Sequence, residues 1–299
     1  MAGRERALVL GGGGSAGNAW EIGVVAGLFD AGLDVTEADL IIGTSAGSTA
    51  AAQITGGVRP PQLLADILAV APPPRTGQAG SDRGRAPNRP VADHMERTGA
   101  IIAAAADAAD MRRRMGAAAL HWDAASGGSS QAQWRTTVAA RLPSPHWPER
   151  PMLIVVVDAH TGEPVLFDRD SGVDLADAVA ASCANGFGVA PLSIGDRRYI
   201  DGGYRSAENA DLAAGYERVL VLSPFAGRPR APLEWGIHLA AHVEQLRAGG
   251  SRVETIFPDT DSRGAFGDNV MDPSTRPPAA RAGYDQGRAL AAQLTEFWR

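Results

Sequence analysis

The sequence predicts an α/β protein: a mainly parallel sheet with helices over both faces. Three observations carry this. Short apolar runs of strand length alternate with longer segments of helical period along most of the 299 residues. The first two runs each lead into a glycine-bearing turn and then a helical pattern, as βα units do. Hydrophobic residues make up 44% of the chain and charged residues 21%, enough apolar surface to cover a sheet on both sides.

Taken in order, residues 6–10 read as a buried strand, followed by a glycine loop and a helix over 17–31. A second short strand at 39–42 precedes a helix at 46–54. Further strands are expected at 152–157, 165–167, 198–200, 218–222 and 253–257, with helices at 174–183, 233–248 and 278–297. One stretch breaks the alternation. Residues 71–90 are rich in Pro, Gly, Arg and Ser and lack an apolar period, so they read as a loop. Alanine-rich helical segments at 98–115 and 130–140 follow. Together 71–145 form a loop plus helical insertion, a lid if it borders a cleft, although a packed appendage is the commoner case. The length allows one large domain or two small ones. A single domain over 1–299 is expected, with 226–299 as a helix-strand-helix extension packed on the sheet.

Composition excludes several classes. A net charge of -6 argues against nucleic acid as the partner. The one basic cluster, Arg112-Arg113-Arg114, reads as a solvated helix face in preference to a headgroup-binding patch. The chain contains no lysine, which removes P-loop and Schiff-base enzymes. No apolar run approaches the roughly 20 residues of a membrane helix. Glu5 and the glycines after Leu10 leave no apolar region for a signal peptide. The single cysteine, Cys183, forms no internal disulfide, and the expected location is cytoplasmic.

Three motifs carry chemistry. Gly43-Thr-Ser45-Ala46-Gly47 lies between the second strand and its helix. That strand–turn–helix context is what a nucleophile elbow needs. The glycines tolerate a strained turn, and Ser45 falls at a helix N-terminus, where developing negative charge is favoured. A small-residue packing turn would leave the same pattern. The second motif, Gly11 to Gly17, follows the first strand and presents backbone N–H groups to an anion. Gly12-x-Gly14-x-x-Gly17 also matches the dinucleotide fingerprint. That reading lacks the acidic residue at the end of the second strand, since Asp34 and Glu37 precede it. The third motif, Asp201-Gly202-Gly203, ends the strand at 198–200. If that strand joins the same parallel sheet, its end meets the Ser45 turn at one edge and supplies a carboxylate to take the serine proton. An aspartate of ordinary pKa is a weak base for serine, so the pairing predicts a partly buried Asp201 close to Ser45.

Six histidines are alternatives as base: His94, His121, His146, His160, His238 and His242. In a Ser-Asp-His order only His238 and His242 follow Asp201. They fall four apart on one expected helix face, where packing is the commoner role, and the glutamate of a zinc-binding pair is missing.

The ordered set of motifs resembles the patatin-like phospholipase family. The match runs through Leu10 to Gly17, Ile22-Gly-Val-Val-x-Gly27-Leu28, the Ser45 pentapeptide, Ala181-Ser182-Cys183-Ala184 before Pro191, and Asp201-Gly202-Gly203. It covers about residues 6 to 225. The resemblance implies a three-layer α/β/α fold and hydrolysis of acyl esters, often of lipids, without cofactor or metal. It implies Ser45 as nucleophile and Asp201 as base. The N–H groups of Gly12, Gly13 and Gly14, helped by Ala46, would form the oxyanion hole. The partner would be an acyl-ester or lipid substrate, met at transient contact with a membrane surface. Two departures stand out. Ala16 replaces an Arg or Lys usual before the last loop glycine, and Asn185-Gly186-Phe187-Gly188 replaces a proline-containing segment. Ala16 sustains a second reading, a catalytically weak module for lipid binding or regulation; a dinucleotide-binding enzyme is the third.

Overall fold

The computed structural model describes residues 4–69, 89–125, 131–186 and 188–299. Most of the expected loop at 71–90 lies outside the described residues, as does Phe187. The chain enters through β1 (Arg6–Leu10), α1 (Gly14–Asp30), β2 (Leu40–Thr44), α2 (Ala46–Thr55) and α3 (Pro60–Ala69). Next come α4 (Arg89–Ala104), α5 (Ala108–Ala125) and α6 (Gln131–Ala139). Then follow β3 (Met152–Asp158), β4 (Pro164–Phe167), α7 (Leu175–Ser182), β5 (Leu192–Ile194) and β6 (Arg197–Asp201). The last part holds β7 (Arg218–Leu222), α8 (Leu239–Ala248), β8 (Arg252–Ile256), α9 (Thr260–Phe266) and α10 (Arg276–Trp298).

One sheet runs β5-β6-β3-β2-β1-β7-β8, with β4 paired to β3. Its centre is parallel: β1 pairs with β2 and β7, β2 with β3, and β7 with β8. The pairs of β4 and β6 with β3, and of β5 with β6, are antiparallel. The two-residue period of a strand sorts the apolar residues into two layers. Leu8, Leu10, Ile41, Leu220 and Leu222 face a core shared with α1, α3, α7 and α10. Ala7, Val9, Ile42, Val219 and Val221 face the opposite core, closed by α8 and the turn at Ala210–Ala213. The result is a three-layer α/β/α arrangement with a mixed, mostly parallel sheet. A third cluster sets Met111, Met115 and Ala119 of α5 on Val157 and Ile200.

The helix expected at 98–115 is two helices. Asp107 accepts the N–H of Asp110 at 2.7 Å, while Asp110 accepts the N–H of Ala106 at 3.1 Å. These bonds satisfy orphan donors at a new N-terminus and end the preceding helix. The helix expected at 233–248 also divides. Gly236 adopts φ 65°, which separates a single turn at Leu233–Trp235 from α8. The short elements α3, β5 and α9 have no counterpart in the sequence reading. The arginine cluster is dispersed into local bonds: Arg112 donates to the Gly162 carbonyl, and Arg113 and Arg114 pair with Asp110. No helix among the described residues is long and apolar enough to cross a membrane.

Candidate active site

The site begins at the end of β2. Ser45 has φ 53° and ψ -121°, a conformation that costs a non-glycine residue of order 1–3 kcal/mol. Close packing holds it there. A Cβ on Gly43 would lie 2.5 Å from Cα of Ser48, and one on Gly47 would lie 2.1 Å from the carbonyl oxygen of Leu10. Both glycines are therefore required by backbone approach, and α2 starts pressed against β1. The Ser45 hydroxyl donates to Oδ2 of Asp201 at 2.7 Å. Its backbone N–H donates to Oγ of Ser182 at 2.9 Å, and the fully buried Ser182 hydroxyl donates onward to the Val155 carbonyl at 2.7 Å.

Asp201 reaches Ser45 by a different route from the one expected. Its strand β6 runs antiparallel to β3, so its end does not share an edge with parallel strand ends. Over Ile154–Val157, β4 occupies one edge of β3, which leaves β6 on the edge that β2 holds lower down. β2 stops at Thr44, opposite Val155, and β6 stops at Asp201, opposite Val156. The two strands thus run toward each other along one edge and end face to face. Burial raises the Asp201 carboxyl to about 6, against the lowering effect of bonds from the Ser45 hydroxyl and the Gly203 amide. That amide bond, 2.8 Å to Oδ1, also fixes the carboxylate plane.

The glycine loop lies beside this pair. The N–H of Gly12 donates to the Ala207 carbonyl at 2.8 Å, which corrects its expected role as an oxyanion donor. The N–H groups of Gly13, Gly14 and Ala46 have no acceptor among the described residues. Gly14 takes φ 62°, and a Cβ on Gly13 would fall 2.5 Å from Pro224 Cβ, so the loop is seated on that proline. Gly17 closes the first turn by donating to Gly13. Ala16 is fully buried, with its N–H on the Val270 carbonyl.

The histidine alternatives lie in other contacts. His242 is buried on α8 with Nδ1 3.3 Å from Asp211, which pairs in turn with Arg205, and burial holds its pKa below the usual value. His238 precedes α8, so the two do not share a helix face. The acidic residues of the dinucleotide reading are also engaged locally. Asp34 accepts the Thr36 N–H and hydroxyl, and Glu37 pairs with Arg150.

Two residues that organise the site escape a sequence reading. Ser182 lies in a quoted motif but carries no assigned role there. Asn209, fully buried at φ 56°, donates to Thr44 Oγ1 at 3.0 Å, the Ser206 carbonyl at 2.8 Å and the Gly202 carbonyl at 3.3 Å. It ties the end of β2 to the Asp-Gly-Gly turn. The departure at Asn185 is a turn closed by its side chain, which accepts the N–H of Gly188 and Val189 at 2.9 and 3.0 Å.

Fold and site define an α/β protein with a strained serine turn facing a partly buried carboxylate at a sheet edge. A family model described as patatin-like phospholipase matches residues 8–214. The chain belongs to the patatin-like phospholipase family, whose general chemistry is lipid acyl hydrolysis. Among solved structures it is similar to VipD from Legionella pneumophila, at 15% identity and a TM-score of 0.46, covering 97% of this chain and 67% of that one. It is also similar to the type III effector protein ExoU, at 14% identity and a TM-score of 0.39, covering 97% of this chain. The chain spans 53% of the ExoU chain. No curated protein matches the sequence.

Proposed function

We propose that the protein is a serine acyl-ester hydrolase acting on lipid esters through a Ser45–Asp201 dyad. The observation that carries this reading is the 2.7 Å hydrogen bond from the Ser45 hydroxyl to Asp201 at a turn with φ 53°. Asp201, raised to about 6, is ionised at neutral pH yet more basic than an exposed aspartate. It takes the serine proton as Ser45 attacks the ester carbonyl, and returns that proton to the departing alcohol. Asp201 then takes a proton from water as it attacks the acyl-enzyme carbonyl, and passes that proton to Ser45 Oγ as the acyl bond breaks and the carboxylic acid leaves. The amides of Gly13, Gly14 and Ala46 face the developing oxyanion, each contributing roughly 3 kcal/mol. In this reading the chain acts as one unit over 1–299 in the cytoplasm and meets its substrate at a membrane surface.

Labelling with a fluorophosphonate and turnover of a p-nitrophenyl ester test the nucleophile. Ser45→Ala is expected to lose both; full labelling of that variant would refute the assignment. Asp201→Asn should fold normally and lose about 10³-fold or more in kcat. Buried Ala16, without the usual cation, supports the second reading of a weak lipid-binding module. Well-folded wild-type protein that resists the label would favour that reading.

A further inference from the structure

The glycine loop is clasped from outside by a segment beyond the residues that the family model matches. The Val270 carbonyl accepts the N–H of Ala16 at 2.9 Å. Arg276, at the start of α10, donates to the Ser15 carbonyl at 3.2 Å and to Oδ1 of Asn18 at 2.9 Å. Met271 completes the clasp. A Cβ on Gly14 would fall 2.8 Å from Met271 Sδ and 3.0 Å from the Val270 carbonyl oxygen, so the sulfur rests against the Gly14 backbone. The N–H groups of Gly14 and its neighbour Gly13 have no acceptor among the described residues.

Met271 is also open to reagents. It is 50% exposed, whereas Met111, Met115 and Met152 are buried. Met95, on α4, is 48% exposed. Burial raises the Cys183 thiol to about 12, so at neutral pH it is not a thiolate and reacts slowly with oxidants. A thioether is a weak hydrogen-bond acceptor, whereas the S–O group of a sulfoxide is polar, with its negative end on oxygen.

We propose that Met271 is a redox-modification site that switches the hydrolase off, its sulfoxide oxygen taking the Gly14 N–H that would otherwise hold the oxyanion. The co-reactant is a peroxide. The sulfur attacks one peroxide oxygen, the O–O bond breaks, an S–O bond forms and the other oxygen leaves as water. Sulfur gives up the two electrons that the peroxide takes. A thiol-dependent methionine sulfoxide reductase reverses the step: two thiols become a disulfide and the sulfoxide oxygen leaves as water. This inference rests on the hydrolase reading and adds regulation to the same site.

The test compares wild type, Met271→Leu and Met95→Leu before and after hydrogen peroxide, with turnover of a p-nitrophenyl ester and with oxidised residues located by peptide mass spectrometry. Leucine keeps an apolar side chain over Gly14 and removes the reactive sulfur. Peroxide should lower kcat about tenfold or more in wild type and in Met95→Leu, with KM little changed, and the reductase should restore it. Met271→Leu should keep its own untreated rate. Equal losses in wild type and Met271→Leu overturn the proposal, as do full activity with Met271 converted to sulfoxide and treatment that leaves Met271 unoxidised. Thermal unfolding separates a switch from damage: treated wild type should keep its Tm, and a loss of kcat that tracks a loss of Tm removes the switch. If untreated wild type hydrolyses no ester, the hydrolase reading fails separately, and amide spectra of glycine-labelled protein still read the contact. Oxidation should then shift the Gly14 amide and slow its hydrogen exchange in wild type and not in Met271→Leu; an unmoved Gly14 amide overturns the proposal.

Discussion

The turn at Ser45 and the crossing of α1 with α10 are both glycine-bounded, and they use glycine in different ways. At the crossing, a Cβ on Gly23 or Gly27 would fall 2.1 or 2.2 Å from the Ala280 or Tyr284 carbonyl oxygen. One on Gly283 or Gly287 would fall 2.4 or 2.3 Å from the Trp20 or Val24 carbonyl oxygen. All four residues have ordinary helical backbone, and the missing side chains let two helices touch along their backbones. The gain is dispersion and buried area, with no strain stored. At the elbow the glycines instead press on Ser48 and Leu10, on either side of a serine that itself takes φ 53°. There the packing holds a strained residue whose hydroxyl points into the site. Tight backbone contact thus stabilises the fold in one place and is opposed to it in the other.

Substituting Ser45 separates the two uses most sharply. Ser45→Gly relieves the positive φ and should raise Tm, by about 1 kcal/mol in stability, while turnover falls on the order of 10⁴-fold. Thermal unfolding and ester turnover on one preparation check both arms. Gly27→Val should do the reverse. Overpacking the crossing costs about 1–3 kcal/mol, read in a denaturant melt, while kcat per fluorophosphonate-titrated site stays at the wild-type value.

The pH profile sharpens the elbow side. Asp201 must be ionised to act, so kcat/KM should fall tenfold per unit below about pH 6, and a profile flat to pH 5 would remove Asp201 as the base. Stability runs the other way. Because burial raises this carboxyl above its ordinary value of 3.8, its contribution is full below that value and is lost as pH rises through about 6. Asp201→Asn should abolish that component of the stability profile. The smallest effect is expected at Ser182. Ser182→Ala leaves the Ser45 N–H and Val155 carbonyl unpaired, costing about 1–2 kcal/mol, with kcat lowered several-fold and KM little changed.

Legibility in the sequence follows the range of the interactions. The faces of β1 and β7 are written in their alternation, and the turns at Gly43–Gly47 and Gly12–Gly17 announce themselves because their constraints fall within a few residues. Asp201 is marked by its Asp-Gly-Gly turn. The orientation of its strand is not, because antiparallel pairing with β3 depends on β4 having filled the other edge. The break between α4 and α5 was written in Asp107 and Asp110, but an alanine-rich period on both sides masks it. Ser182, Asn209 and Arg276 act on residues 137, 165 and 258 positions away, and a serine, an asparagine or an arginine offers no local sign of such a partner.

The sequence by itself determined which segments become strands, where the backbone must turn sharply, and which serine stands at a helix start. Those outcomes follow from side-chain period and from the conformations glycine permits, both local properties of the chain. Only the tertiary structure decided that β2 and β6 end face to face, that the Gly12 amide belongs to Ala207, and that Arg276 reaches back to Ser15 and Asn18 beside the loop that carries alanine. Each of these depends on which surfaces remain after the layers have packed, because a strand has only two edges and a buried amide donates one hydrogen.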